Sequence, residues 1–285
     1  MRKGWNVKPI VAIVAQGSMA SALAARLTQH GIEVRTIISG RSEASRARAA
    51  AAGMKPVDMR QLLEADILLS VLPPSAALGF ARILTPELRA SARKPLYVDC
   101  NAVSPESARA IAEVITATGT EFVDAGIIGL PPREGYAGPK IYASGTQAPQ
   151  LAQLRSFGID IRILNADIGA ASGLKMAYAG ITKGLTAVAT VMILAAARAG
   201  LSEALEQELS ESEPLLRDAL SRRIPDMLPK AYRWIDEMHQ ISNFALPDLA
   251  GAAIYDGAAK LYERIAVDYA GAKQEASALT GFFGV

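Results

Sequence analysis

The stretch that most constrains this chain is Pro9–Ser42, PIVAIVAQGSMASALAARLTQHGIEVRTIISGRS. Ile10–Val14 is short, continuously apolar and mostly β-branched, the pattern of a strand buried on both faces. The small residues of Ala15-Gln16-Gly17-Ser18-Met19-Ala20 follow at once. Ser18–His30 predicts a helix, with Leu23 and Leu27 on one face and Gly31 as its stop. Glu33–Ile38 predicts a second strand. Strand, tight turn, helix and strand at this spacing make the first unit of a dinucleotide-binding α/β fold.

The turn departs from G-x-G-x-x-G/A, because Ala15, Gly17 and Ala20 stand at its three small positions. Gly17 matters most, since a residue without Cβ lets the backbone approach a pyrophosphate. Ala15 predicts a turn made with φ below zero. Small residues between a strand and a helix also serve packing, so the cofactor reading leans on the next loop. An NAD site places an acid about 20 residues past the glycines to hold the ribose hydroxyls. Here no acid lies between Glu33 and Glu43; the strand runs out into Ser39-Gly40-Arg41-Ser42, with Arg46 a turn further on. A guanidinium flanked by hydroxyls suits a 2′-phosphate, and so NADP. The same residues also read as a helix start, with Ser42 as N-cap, and the two readings are compatible. Gln16, Gly17, Ser18, Met19, Ser39, Gly40, Arg41 and Ser42 are the cofactor candidates of this unit.

The remaining chain supplies more loops. Asp66–Leu72 predicts a buried strand ending in Pro73-Pro74, so Leu72, Pro73 and Pro74 join the cofactor candidates. Leu96–Asp99 delivers Cys100-Asn101-Ala102-Val103, and Ser104-Pro105-Glu106 opens a helix with a Ser cap and Pro at its first position. Glu121–Ala125 predicts a strand running into a loop over Gly126–Pro132. Lys140–Ala143 and Asp160–Leu164 complete a mixed sheet. In open α/β sheets the loops at the carboxyl ends of the strands gather the ligand. From about Gly169 the pattern is helical only, and Ala170–Ala199 predicts one helix of about 30 residues. The fold class is therefore an α/β Rossmann-like domain over residues 1–166, followed by an all-α substrate and dimerisation domain over 167–285.

Composition excludes several classes. A formal charge of +2 with 20% charged residues lacks the one-sided basicity of a nucleic-acid binder. The single cysteine, Cys100, rules out an internal disulfide framework and fits a reducing cytoplasm. Two histidines argue against a histidine-based metal site, and no metal is expected. Arg2 and Lys3 precede an apolar run of only about six residues, too short for a signal peptide. The uncharged stretch Gly184–Ala197 falls short of the ~18 residues that span a bilayer, and reads as a core helix.

These residues resemble the β-hydroxyacid dehydrogenase superfamily, which includes 3-hydroxyisobutyrate and 6-phosphogluconate dehydrogenases. The resemblance is carried by Gly17 and Met19 in the turn, by Leu72-Pro73, by Gly40-Arg41-Ser42, and by Gly173-Leu174-Lys175 against the family's catalytic-lysine helix. It implies an NADP-dependent oxidoreductase with Lys175 as general acid and base. Three positions depart from it. Asn101 and Ala102 replace Ser and Thr of D-x-S-T-x-x-P, Asp124–Leu130 replaces a polar contact of D/E-A-P-V-S-G-G by Ile, and Ala179 stands where an asparagine follows the lysine. The replaced groups hold the family's substrate carboxylate, so its substrate does not carry over. The whole chain looks most like a little-characterised bacterial branch with its own helical C-terminal domain.

Lys175 lies among Ala, Leu and Met, where a partly desolvated amine suits proton transfer; a lysine snorkelling to the surface is the other reading. Asn101, at a strand end, reads equally as a contact to substrate or nicotinamide and as a turn residue. Cys100 reads as a core cysteine. Tyr178, Thr182, Gly129, Trp234 and His239 are the substrate candidates. The expectation is a cytoplasmic, homodimeric, NADP-dependent enzyme that acts on a small molecule and binds neither membrane nor nucleic acid. An imine reductase and a non-catalytic NADP-binding sensor are the alternatives.

Overall fold

The computed structural model describes residues 8–133, 135–136 and 138–284. Arg2 and Lys3 lie outside them. β1 (Ile10–Val14), α1 (Ser18–Gln29) and β2 (Glu33–Thr36) form the expected unit, and Gly31 ends α1 at φ +74°. β2 is two residues shorter than the expected strand Glu33–Ile38, and beyond its end the Ile37 carbonyl accepts from Gln16 Nε2 at 3.0 Å. α2 (Glu43–Ala51), β3 (Lys55–Pro56), α3 (Met59–Leu63) and β4 (Ile67–Ser70) follow. α2 starts where Ser42 caps it, its Oγ accepting from Ser45 N.

The prolines that end the β4 segment also open a helix: Pro73 is the N-cap residue of α4 (Pro74–Ala90), and Pro74 sits where no intrahelical N–H is needed. β5 (Leu96–Asp99) and α5 (Pro105–Thr116) lie as predicted, with Ser104 capping α5. β6 (Phe122–Ile128) runs through residues expected in a loop, since β7 (Lys140–Ser144) pairs with it antiparallel as far as Ile128↔Lys140. The Gly/Pro-rich loop therefore begins at Gly129. A 3-10 helix (Ala148–Phe157) and β8 (Asp160–Ile163) complete the unit.

Strand order is β3-β2-β1-β4-β5-β6-β7-β8, with every pair parallel except β6–β7. The order reverses between β1 and β4, the switch point where such sheets bind ligands. Alternate strand residues feed two cores. Val11, Ile13, Leu23, Leu27 and Val34 pack on one face, and Ala12, Val14, Leu84, Leu88, Ile111 and Tyr97 on the other. Each fully buried large aliphatic side chain contributes about 1.5–3 kcal/mol against the unfolded chain.

The chain divides into two compact units, residues up to Lys175 and residues from Met176 on. α6 (Ala170–Arg198) runs through the division, and α7 (Ser202–Ser212), α8 (Pro214–Met227), α9 (Ala231–Ala245), α10 (Leu249–Ala270) and α11 (Gln274–Phe282) follow. In the second unit Leu220, Ile224, Met238, Ile241, Tyr262 and Leu279 are buried. Gly180 and Gly184 of α6 lie against Tyr255, where a Cβ at Gly180 would stand 2.9 Å from the phenol oxygen. Lys183 is ion-paired with Glu237 and sits 4.6 Å from the Trp234 ring centre. The Gly184–Ala197 stretch is only partly core, since Leu185, Val188 and Met192 are 39%, 56% and 53% exposed. By length and composition, α6 is the one helix among the described residues able to cross a membrane.

Candidate functional site

The turn after β1 is held from below. Gln16 is buried, and its Nε2 donates to Thr36 Oγ1 at 2.6 Å and to the Ile37 carbonyl, tying the turn to the end of β2. Arg48 Nε of α2 donates to the Gln16 carbonyl at 2.6 Å. Ala15 sits at φ +77°, the conformation of the glycine it replaces, against the negative φ expected of it. A non-glycine residue there costs about 1–2 kcal/mol, and the fixed Gln16 holds it in place. Gly17 adopts φ −68°, ψ 169°, extended backbone open to any residue, and a Cβ there would meet nothing within 4 Å. The chain itself does not demand glycine at this position. What glycine provides is room at the N-terminus of α1, where helix N–H groups point outward, and this fits a pyrophosphate.

The second loop fits the adenosine end of a dinucleotide. Ser39, Gly40, Arg41 and Ser42 are all exposed. Glu33, the acid nearest in sequence before them, is engaged elsewhere: Lys55 and Arg35 bind it and hold its carboxyl below the usual range. Among the described residues no acid stands at the carboxyl end of β2 before Glu43.

A row of buried polar residues crosses the sheet at the last residues of β4, β5 and β7 and at the third residue of β6. Ser70, Asp99, Asp124 and Ser144 are register partners in β4, β5, β6 and β7, and all four are at most 1% exposed. Asn101, also buried, closes the row toward β4. Its amide donates to Asp99 Oδ1 and to Ser70 Oγ, and its Oδ1 accepts from Leu72 N at 2.5 Å. The amide thereby holds the turn leading to Pro73 and Pro74. Burial raises the Asp99 carboxyl to about 7, opposed by the Asn101 backbone N–H and reinforced by Asp124. The Cys100 thiol is pushed upward by burial, then by Asp99 and Asp124, which fits a core cysteine and not a nucleophile.

Asp124 joins this row to the start of α6. Its oxygens accept from the backbone N–H of Gly169, Ala171 and Ser172 at 2.9, 3.1 and 3.1 Å. They also accept from Ser144 Oγ at 2.9 Å and Ser172 Oγ at 2.6 Å. Lys175, half-buried, lies in the second turn of the same helix.

Among the described residues, the proposed substrate residues have local surroundings of their own. Tyr178 is 49% exposed, and Thr182 Oγ1 donates to its own helix at the Tyr178 carbonyl. Gly129 adopts φ +127° against Tyr136 and Pro139, which accounts for its glycine. Trp234 packs edge-on to Tyr262 as well as beneath Lys183. His239 is largely exposed, with Nδ1 3.8 Å from Asp256. Sequence reading passed over Thr36, Arg48, Ser70, Ser144 and Ser172. Each acts through a partner 20 or more residues away, so no local pattern marks it.

Residues 10–156 match the family described as the NAD binding domain of 6-phosphogluconate dehydrogenase, and residues 196–265 match a domain of unknown function, DUF1932. An uncharacterized 28.5 kDa protein from Methanothermus fervidus is 30% identical over 239 residues, 83% of this chain and 90% of that protein. A solved conserved protein of unknown function, described as structurally similar to 3-hydroxyacid dehydrogenases, is 27% identical, with a TM-score of 0.68 over 94% of this chain and 98% of that one. The Mycobacterium tuberculosis 3-hydroxyisobutyrate dehydrogenase, solved with L-serine, shares the fold at 18% identity, with a TM-score of 0.66 over 93% of this chain and 96% of that one.

Proposed function

Because the chain belongs to the family of the NAD binding domain of 6-phosphogluconate dehydrogenase, we propose that it is an NADP-dependent oxidoreductase acting on a small hydroxy or carbonyl compound, with Lys175 as general acid and base. The observation that carries this is the tie from the buried row through Asp124 to the helix bearing Lys175. It sets an amine on the helix that starts from the carboxyl edge of the sheet, the edge that also carries the Gly17 turn. A bound nicotinamide dinucleotide would supply or accept the hydride. Gln16–Met19 and Leu72–Pro74 would hold it, with Ser39–Ser42 around its 2′-phosphate. In reduction Lys175 gives a proton to the carbonyl oxygen, and in oxidation it takes the hydroxyl proton. Asn101 serves this reading as a positioning residue, since its amide is engaged within the chain. With Ala102 and Ala179 at positions where the resembling family binds a carboxylate, that family's substrate does not carry over. A screen of NADP(H)-linked turnover across aldehydes, ketones, hydroxyacids and cyclic imines tests the reading. Turnover confined to imines would move it to imine reduction, and cofactor binding without any turnover would make it a sensor.

The cofactor preference has its own expected result. A charge-assisted hydrogen bond contributes roughly 1.5–3 kcal/mol. Arg41→Ala should therefore weaken NADPH binding by about ten- to a hundredfold and leave NADH binding nearly unchanged. Titration calorimetry that gives the parent equal affinity for both cofactors would refute the NADP assignment.

A homodimer belongs to the same proposal. Tyr178, Ile181, Leu185, Val188 and Met192 of α6 are all exposed, and their spacing alternates three and four residues. That is the seam by which a helix packs against another helix. Ala252, Ala258 and Ala259 of α10 are buried, so the apolar side chains that the alanine-rich segment 250–259 exposes are those of Ala250, Ala253 and Ile254. Light scattering should give twice the chain mass of 30.0 kDa. Replacing Ile181 and Val188 together by Glu should return the monomer.

A further inference from the structure

The caps of the helices differ in origin. α2, α5 and α10 are capped by the residue immediately before them, Ser42, Ser104 and Asp248. Such local caps stabilise a helix without fixing where it lies. α6 instead receives the Asp124 carboxylate from β6, 45 positions away from Gly169. No acidic residue lies in the first turn of α6 itself. Asp124 is fully buried, accepts five hydrogen bonds and meets the positive end of a helix of 29 residues. Ala171 N also donates to Ser144 Oγ at 3.1 Å, so β7 supports the same turn.

A second contact lies two residues along β6, on the same face of the strand. Gly126 touches α6 so closely that a Cβ there would stand 2.6 Å from the Ala171 carbonyl oxygen and 3.0 Å from Lys175 Cβ. Its φ lies outside the left-handed region, so the closeness of the helix, and not backbone conformation, calls for glycine. Asp124 sets the axial start of α6, and Gly126 sets its depth at the residue bearing the amine. Ala171 and Lys175 are four apart, so both contacts act on one face of one turn.

We infer that Asp124 and Gly126 are the positioning residues of Lys175, fixing the start and the depth of its helix against β6. This rests on Lys175 as the acid, and the tests below separate the two. A misplacement of about 1 Å can lower a rate a hundredfold. Asp124→Asn keeps the size of the side chain but turns an acceptor into a donor facing helix N–H groups, and Gly126→Ala pushes the helix outward.

Both variants should bind NADPH with the parent stoichiometry and a dissociation constant within about twofold, by fluorescence titration. Turnover per bound cofactor should fall by about ten- to a hundredfold, with KM for the carbonyl substrate within about threefold. Independently of activity, amide hydrogen exchange at Gly169, Ala171 and Ser172 should speed up in Asp124→Asn. Asp248→Ala, which loses a local cap in the second unit, should keep the parent turnover. Should Asp124→Asn fail to fold, Gly126→Ala decides alone. The inference is overturned if both variants turn over within twofold of the parent while Lys175→Met does not. It is equally overturned if cofactor stoichiometry falls in step with turnover, since that is loss of folded protein. An active Lys175→Met variant sinks the acid assignment itself, and with it this inference.

Discussion

Lys175→Met should lower turnover by about a hundred- to ten-thousandfold, the usual contribution of a positioned acid. Methionine has similar length and no charge, and Asp124 holds the helix through the backbone N–H groups of Gly169, Ala171 and Ser172, not through the lysine side chain's charge. The fold and the affinity for NADPH should therefore persist. The fall should appear equally in kcat and kcat/KM, because the proton moves only in the transition state. Steady-state kinetics on a carbonyl substrate from the screen checks this. A Met variant that keeps more than about a third of parent activity makes Lys175 structural. Imine reduction would depend less on Lys175, since an iminium substrate can arrive already protonated. A sensor would have no turnover to lose.

Asp99 should give the protein a stability that falls as pH rises. Its carboxyl is raised in the folded chain to about 7 from an unfolded value near 3.8. Between those values the folded state binds the proton more tightly than the unfolded one, so stability declines with increasing pH by up to 1.36 kcal/mol per unit. The contribution is fully present below the unfolded value and is lost as pH passes the folded one. The titratable groups bearing on Asp99 are Asp124 on β6, and Tyr97 and Cys100 on its own segment, whose ionisation its charge opposes. Asp99→Asn removes the titration while its amide oxygen still accepts from Asn101. From pH 5 to pH 8 the variant should gain on the parent by about 2–3 kcal/mol, read as roughly 5–10 °C in Tm. A constant Tm difference across that range would show that Asp99 does not hold its proton in the folded chain.

How much of this was legible beforehand follows from how local each feature is. The first βαβ unit, the strand Leu96–Asp99, the caps at Ser42 and Ser104, and a helix from Ala170 into the second unit are all written in runs of neighbouring residues. Propensity, capping and apolar spacing act within a few residues, so the chain declares them without a partner. The Gly17 turn and the acid-free loop at Arg41 belong to the same class, and with them the dinucleotide reading. Lys175 is proposed chiefly by resemblance, because its apolar neighbours suit a snorkelling lysine as well as a proton donor.

Tertiary structure decided the rest. The glycine-like φ of Ala15 is imposed by Gln16, which is pinned to Thr36 and Ile37 across the sheet. The extra length of β6 comes from its pairing with β7, while Gly126–Ile128 alone reads as a loop. Asp124 looked like one residue of a strand and proved to be the cap of a distant helix. Ser70, Asp99, Asp124 and Ser144 are scattered along 75 positions, yet strand register makes them one row. Periodicity assigns a residue to a face of its own strand, but only pairing between strands determines which residues on that face become neighbours.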